Sequence, residues 1–301
     1  MPNGFINVYK PRNMTSHDVV AVIRRCLPKK TRVGHTGTLD PDATGILPVC
    51  VGKGTRLAEY FAPLKKVYLG EMTLGAVTST QDSSGEVLRQ TAAAEIAAVA
   101  EADVIKAVKA FVGEIEQVPP MVSAVKINGR KLYELAREGK TVERKARKVT
   151  IYNIEITEMD LPKVKLAVTC SGGTYIRTLI NDIGEKLDVG AYMSSLERQA
   201  VGSFDLAHSL PLEQVKSMLE AEDYSCLLPL EYGLEHLPVW ELTAAADYEN
   251  VLHGRPVKLT SEPSAGTYKI FYENRLIAVA QAEANGSLLK MNKVLISESD
   301  N

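Results

Sequence analysis

Between Gly34 and Gly45 the chain reads Gly-His-Thr-Gly-Thr-Leu-Asp-Pro-Asp-Ala-Thr-Gly, which places one carboxylate, Asp40, in a restricted setting. The glycines permit tight turns and close approach by a ligand, and Pro41 fixes the backbone just after the acid. A carboxylate presented in this way can attack an electrophilic carbon or move a proton. Its bland alternative is an Asx turn that merely closes on its own backbone. A second glycine-rich turn, Ser171-Gly172-Gly173-Thr174, leads into a helical stretch that begins with Tyr175, Ile176 and Arg177. Other chemistries find less support. Gly52-Lys53-Gly54-Thr55 lacks the upstream glycine that a Walker A phosphate loop requires. The five histidines and the cysteines Cys26, Cys50, Cys170 and Cys226 form no cluster at ligand spacing, so no metal site is expected.

The elements that must carry these residues are legible from periodicity. Phe5 to Lys10 reads as a strand broken by Pro11. Ser16 can cap a helix whose Val19, Val20, Ile23 and Leu27 share a face, and Pro28 ends it. Residues 34–45 form a loop between strands. Strands are expected at Ile46 to Val51 and Val67 to Leu74, with a helical segment from Thr55 to Phe61 between them and a turn at Gln81 to Gly85. Ala92 to Phe111 has helical composition, and a short helix is expected near Lys131 to Glu138. Val149 to Ile156 and Val164 to Cys170 are β-rich, and Ile176, Leu179, Ile180, Ile183 and Leu187 give the next helix its buried stripe. A helix from Ser209 to Glu220 follows. From Pro238 the texture changes to short strands, with tight-turn signals at Asn274-Arg275 and Asn285-Gly286. The expected organisation is a catalytic domain over 1–237 and a small β-rich domain over 238–301.

Length and composition agree with two soluble domains: 301 residues, 45% hydrophobic and 24% charged, without an apolar run of membrane-spanning length. No export leader is recognisable at the start, so the cytoplasm is the expected location. The net charge of −2 hides a segregation. Residues 1–70 carry eleven Lys/Arg against four Asp/Glu, and 126–148 carry nine against three, which leaves the remainder acidic. Two basic runs around one candidate site suit a polyanionic partner.

The stretch Gly34-His-Thr-Gly-Thr-Leu-Asp-Pro-Asp-Ala-Thr-Gly-Ile-Leu-Pro48 resembles the signature of the TruB-type tRNA pseudouridine synthases. The likeness continues through Lys66-Val-Tyr68, Pro119-Pro-Met-Val-Ser-Ala-Val-Lys126-Ile-Asn-Gly129, Tyr133-Glu-Leu-Ala-Arg137 and Cys170-Ser-Gly-Gly-Thr-Tyr-Ile-Arg177-Thr, in the family's order. It covers about residues 4–210, and the tail is similar to the small RNA-binding PUA domain.

The resemblance implies a mixed α/β (α+β) fold with a largely antiparallel central sheet. It implies isomerisation of the T-loop uridine at tRNA position 55 after the base is flipped out, without metal or cofactor. Asp40 would be the catalytic aspartate, attacking ribose C1′ or the uracil ring or taking a proton, and Arg177 would pair with it and keep it ionised. Tyr68 would stack on the uracil and assist loss of the C5 proton. His35 would fill the gap left by the flipped base, and Tyr175 and Leu196 would line the uracil pocket. The basic insertion at about 121–148 would close over the RNA, with Lys126, Arg130 and Lys131 as phosphate contacts. The sequence departs from the family pattern at Tyr9, usually acidic or amide, and at Glu197 within Leu196-Glu197-Arg198. A stand-alone monomer with no obligatory protein partner and no membrane association is expected.

Two rivals remain at this level. One is a base-releasing N-glycoside hydrolase using Asp40 and Asp82 as paired carboxylates. The other is a non-catalytic protein that binds tRNA or assists its folding, against which Asp40, Tyr68 and Arg177 stand together.

Overall fold

A computed structural model describes residues 1–123, 125–127, 129–258, 264–283 and 287–297; the side chains of Lys126 and Lys131 are not among the described parts. The architecture is mixed α/β on a ten-stranded sheet. At its centre runs Lys66–Leu74, antiparallel to Lys163–Cys170 on one side and to Ala191–Val201 on the other. Arg147–Asp160 and Gly113–Gln117 extend the first side. On the second side come Thr44–Val51, Gly4–Lys10 and the short Leu210–Pro211. Two of these contacts are parallel, those of Ala191–Val201 with Thr44–Val51 and of Gly4–Lys10 with Leu210–Pro211; the other pairings along the path are antiparallel.

The central strand alternates buried and half-buried residues along its length, so Lys66, Tyr68, Gly70, Met72 and Leu74 share the covered face. Helix Ile176–Lys186 lies on that face and packs Ile176, Leu179, Ile180 and Ile183 against Tyr68, Met72 and Leu166. Gly70 leaves space that a Cβ would fill at ordinary van der Waals contact with Ile176 and Leu196. A second cluster joins Ile6, Val8, Leu47 and Val49 to helices Ser16–Cys26 and Leu212–Glu220.

A separate five-stranded sheet begins at Val239, in the order Val239–Leu242, Gly266–Tyr272, Arg275–Ala282, Leu288–Val294, Val257–Lys258. Glu273 and Asn274, at φ 49° and 59°, close its tight hairpin. The Asn285-Gly286 turn signal lies outside the described residues. The two sheets share an apolar cluster in which Leu276, Val279 and Leu295 meet Phe5, Leu57, Phe61 and Phe204. Among the described residues, no helix is long and apolar enough to cross a membrane.

Several elements differ from their sequence reading. The first helix is capped by Thr15 in a box with Asp18, and Ser16 is its first residue. The Thr55 to Phe61 segment is two 3-10 turns, Gly52–Arg56 and Ala58–Phe61. The stretch expected as one helix is two, Ala93–Ala97 and Glu101–Lys109. They answer to different surfaces: Ile96 sits over Gly75, whereas Val104 and Val108 enter the main core. The helix expected from Ser209 starts at Leu212, because Leu210 and Pro211 join the sheet edge.

Candidate active site

The loop 36–43 connects Val33–His35 to Thr44–Val51, and buried polar groups clamp it from beneath. Ser16 Oγ accepts from the Leu39 N–H at 2.8 Å and lies 3.2 Å from the Leu39 carbonyl, to which it donates. Lys10, fully buried, donates to the carbonyls of Pro41, Pro11 and Met14 at 3.0, 2.9 and 2.6 Å. Burial pulls its pKa down to about 8 against the attraction of Asp40 and Asp42. Arg198, 2% exposed, donates from Nε to the Ile46 carbonyl at 2.7 Å and from Nη2 to that of Gly37 at 3.1 Å. Gly45 has φ 104°, and a Cβ there would lie 2.2 Å from the Arg198 carbonyl oxygen, so the strand can join Arg198 only as glycine. Asp40 is thus carried on backbone fixed at both ends.

Arg177 stands in the first turn of helix Ile176–Lys186 with 4% of its side chain exposed. Its Nη2 reaches Asp40 Oδ1 at 3.3 Å and the Val122 carbonyl at 2.5 Å, and its Nη1 reaches Asp82 Oδ2 at 3.4 Å. Asp82 is itself held by the Thr80 hydroxyl at 2.6 Å, the Ser84 hydroxyl at 2.5 Å and the Ser84 N–H at 3.0 Å. The expected Asp40–Arg177 pair is present and acts in the expected direction, but burial outweighs it. Burial raises the Asp40 pKa above the ordinary aspartate value, the Arg177 charge opposes this, and Asp82 adds to the rise. The net result is a carboxylate less acidic than usual, with 33% of its side chain exposed at the pocket mouth.

The pocket beside it encloses about 300 Å³ and is lined by Tyr68, Tyr175, Leu196, Arg198, Lys66 and the backbone around Gly37. Tyr68 is 8% exposed; burial raises the pKa of its hydroxyl, which the neighbouring Arg198 guanidinium partly offsets. Gln117 grips the Tyr175 backbone from both sides, accepting from its N–H at 3.0 Å and donating to its carbonyl at 3.2 Å. Lys66 spends its protons on the carbonyls of Ala62, Leu64 and Phe61 at 2.7, 2.8 and 3.2 Å, and burial lowers its pKa to about 8. A more voluminous cleft of about 470 Å³, lined by residues such as Glu95, Lys106 and Lys186, has no aromatic ring or arginine in its walls. Chemistry, rather than size, selects the pocket at Asp40.

His35 is half-buried at the end of its short strand, immediately before Thr36 at the pocket wall. In the insertion, Lys126–Ile127 pairs with Arg130–Lys131, and helix Leu132–Arg137 follows. Arg130 is exposed and bound to Glu138, whose pKa it and Lys140 hold down to about 2. The side chains of Lys126 and Lys131 lie outside the described residues.

A family model described as TruB family pseudouridylate synthase (N terminal domain) matches residues 24–176, and one described as the tRNA pseudouridylate synthase B C-terminal domain matches 177–235. The chain belongs to the TruB family of pseudouridylate synthases. Among similar proteins, the tRNA pseudouridine synthase B of Streptococcus agalactiae serotype III (strain NEM316) is 45% identical over 301 residues, 98% of this chain and 100% of its own. That of Alkaliphilus oremlandii (strain OhILAs) is 47% identical over 255 residues, 85% of this chain and 83% of its own. Among solved structures, a chain of a Cbf5-Nop10-Gar1 complex superposes with TM-score 0.75 at 29% identity, covering 98% of this chain and 86% of that one. A chain of an archaeal box H/ACA sRNP Nop10-Cbf5 complex gives 0.72 at 26% identity, covering 98% and 86%.

Against the TruB pattern, the two departures prove to be partners, since the Tyr9 hydroxyl donates to Glu197 Oε1 at 2.8 Å. Sequence reasoning gave Lys10, Lys66, Gln117 and Arg198 no role in the site, and gave Ser16 only that of a helix cap. A lone polar residue in these segments does not by itself say what it will bind. Asp82 entered only as half of a carboxylate pair.

Proposed function

We propose that this chain isomerises uridine to pseudouridine at position 55 in the T-loop of tRNA, with Asp40 as the reactive carboxylate. What carries this reading is Asp40 at the mouth of a pocket with an aromatic wall, Tyr68, and a buried arginine, Arg177, on its carboxylate. The TruB relatives, named for tRNA pseudouridine synthesis, support the substrate class.

The reaction breaks N1–C1′, joins C5–C1′, and moves one proton from C5 to N1, with no net oxidation. Asp40 acts as nucleophile on ribose C1′ or on the ring, or takes the proton that starts glycal formation; its raised pKa makes it a stronger base in each route. Tyr68 stacks on the extruded ring and assists departure of the C5 proton. Arg177 orients Asp40 while Asp82 orients Arg177. Tyr175 and Leu196 hold the base, and His35, just outside the pocket, supports the opened RNA stack. The basic insertion clamps phosphates through Lys126, Arg130 and Lys131. The C-terminal sheet serves as a PUA-like RNA-binding unit from residue 238, and the chain works alone as a monomer in the cytoplasm. Asp82 suits an anchoring role better than water activation, since four hydrogen bonds and ion-pair contacts already hold it. This weighs against the hydrolase reading.

The test is incubation of an unmodified tRNA transcript with the parent and with Arg177→Ala protein, with chemical mapping of pseudouridine and assay for free uracil. Pseudouridine at one T-loop position, slowed by about 10²-fold or more in the variant, is expected. Free uracil, or modification elsewhere, contradicts the assignment.

A further inference from the structure

Most polar groups around the Asp40 pocket are already committed. Lys66 donates to three carbonyls, Arg198 to those of Ile46 and Gly37, and Thr174 Oγ1 to that of Ser171. Arg177 divides its Nη groups among Asp40, Asp82 and Val122, and its buried Nε has no hydrogen-bond partner among the described residues. Two hydroxyls in the same wall are unpaired as well. Thr36 Oγ1 and Ser123 Oγ are both buried, and among the described residues neither has a hydrogen-bond partner. Ser123 as a whole is only 5% exposed. Buried hydroxyls are ordinarily paired, and an unpaired one costs stability that an apolar group of the same shape would not. Two such atoms, on residues that line one cavity, point to a site completed by what enters it, once a small side-chain rotation brings each hydroxyl to the entrant.

The entrant can be described by its chemistry. It shares the pocket with the Tyr68 ring and the Leu196 side chain, which suit a flat group with apolar faces, and it must bring polar atoms along its edge. A hydroxyl offers one donor and accepting lone pairs, so two of them can meet a carbonyl oxygen and a ring N–H, or two carbonyls. A pyrimidine with carbonyl, N–H and carbonyl along one edge fits this demand. We propose that Thr36 and Ser123 are base-binding residues that hydrogen-bond the polar edge of the flipped uridine. This rests on the reading that the pocket receives that uridine.

The two residues come from different parts of the chain. Thr36 is fixed by its own N–H to the Pro48 carbonyl at 3.1 Å, within the loop system of Asp40. Ser123 follows Val122, whose carbonyl Arg177 holds, and lies at the start of the basic insertion. The base would therefore bridge the catalytic loop and the root of the insertion, so that filling the pocket and seating the insertion become one event.

Tight binding of tRNA is carried by phosphate contacts elsewhere, so losing an edge contact should lower the fraction of bound RNA with its base in the pocket and leave overall affinity alone. The experiment compares full-length Thr36→Val, Thr36→Ser and Ser123→Ala with the parent on an unmodified tRNA transcript. It measures single-turnover rate at saturating enzyme, the Kd for tRNA, and Tm. Thr36→Val and Ser123→Ala should each react about tenfold more slowly, the loss of one hydrogen bond. Their Kd should stay within about twofold and Tm should not fall. Thr36→Ser, which keeps the hydroxyl, should restore most of the rate. Unchanged rates in Thr36→Val and Ser123→Ala would overturn the proposal. So would a fall of several degrees in Tm, which would show that the hydroxyls support the free fold, or a Thr36→Ser protein as slow as Thr36→Val. A parent protein that makes no pseudouridine fails at the earlier reading instead, whatever the variants do.

Discussion

At the pocket mouth, burial and Asp82 raise the Asp40 pKa while Arg177 lowers it, and burial dominates. The folded state then favours the protonated acid. The stability this confers is complete below the unfolded-chain pKa, near 3.9 for aspartate, and is lost as pH rises through the folded value. Asp40→Asn, neutral throughout, is expected to melt above the parent at pH 7, and thermal melts should show the gap narrowing as pH approaches 3. The same balance governs activity when the ionised form reacts. Single-turnover rates should fall, as pH drops, through a pKa above that of an ordinary aspartate. Asp82→Asn removes a like charge and should move that limb to lower pH, with a reduced plateau because Arg177 loses an anchor; a limb moving upward would contradict this. At this scale Asp40, Tyr68 and Arg177 were legible because the motifs containing them are long. The sign of the Asp40 shift was not, since it depends on how much protein surrounds the acid.

Strands and helices hold the loop of that carboxylate in place. Ser16 shows how: a residue expected to cap a helix instead grips Leu39 beside Asp40, while Thr15 makes the cap. Ser16→Ala should leave the Leu39 N–H unpaired and cost about 1–3 kcal/mol of stability. It should also slow turnover more than it weakens tRNA binding, as denaturation midpoints and separate rate and Kd measurements would reveal. Periodicity located the strands around the site and the buried face of helix Ile176–Lys186, because those patterns are local. It missed the break between Ala93–Ala97 and Glu101–Lys109, because only the folded chain sets Ile96 against Gly75. Lys10 and Arg198 escaped notice for a related reason: their partners are mostly backbone carbonyls, which every residue carries and no motif records.

Across the whole molecule, the basic insertion and the acidic remainder predict binding that weakens with salt. In the free protein Arg130 is engaged by Glu138, so binding RNA means exchanging partners. Arg130→Ala should reduce the slope of log K against log salt by about one, whereas Glu138→Gln, which frees the arginine, should tighten binding at low salt. Titrations of tRNA over a range of salt concentrations test both. The change of texture at Pro238 was visible in the sequence, but the way the second sheet is attached was not. Leu276, Val279 and Leu295 complete a cluster with Phe5, Phe61 and Phe204, so truncation at Pro238 should lower the stability of the catalytic sheet as well as RNA affinity. The catalytic expectations depend on one acid. The most direct measurement is pseudouridine mapping on an unmodified tRNA transcript after incubation with Asp40→Asn protein, alongside its Kd for the same tRNA. The account predicts binding close to that of the parent and product formation reduced by about 10³-fold or more. Full conversion by the Asp40→Asn protein would contradict it.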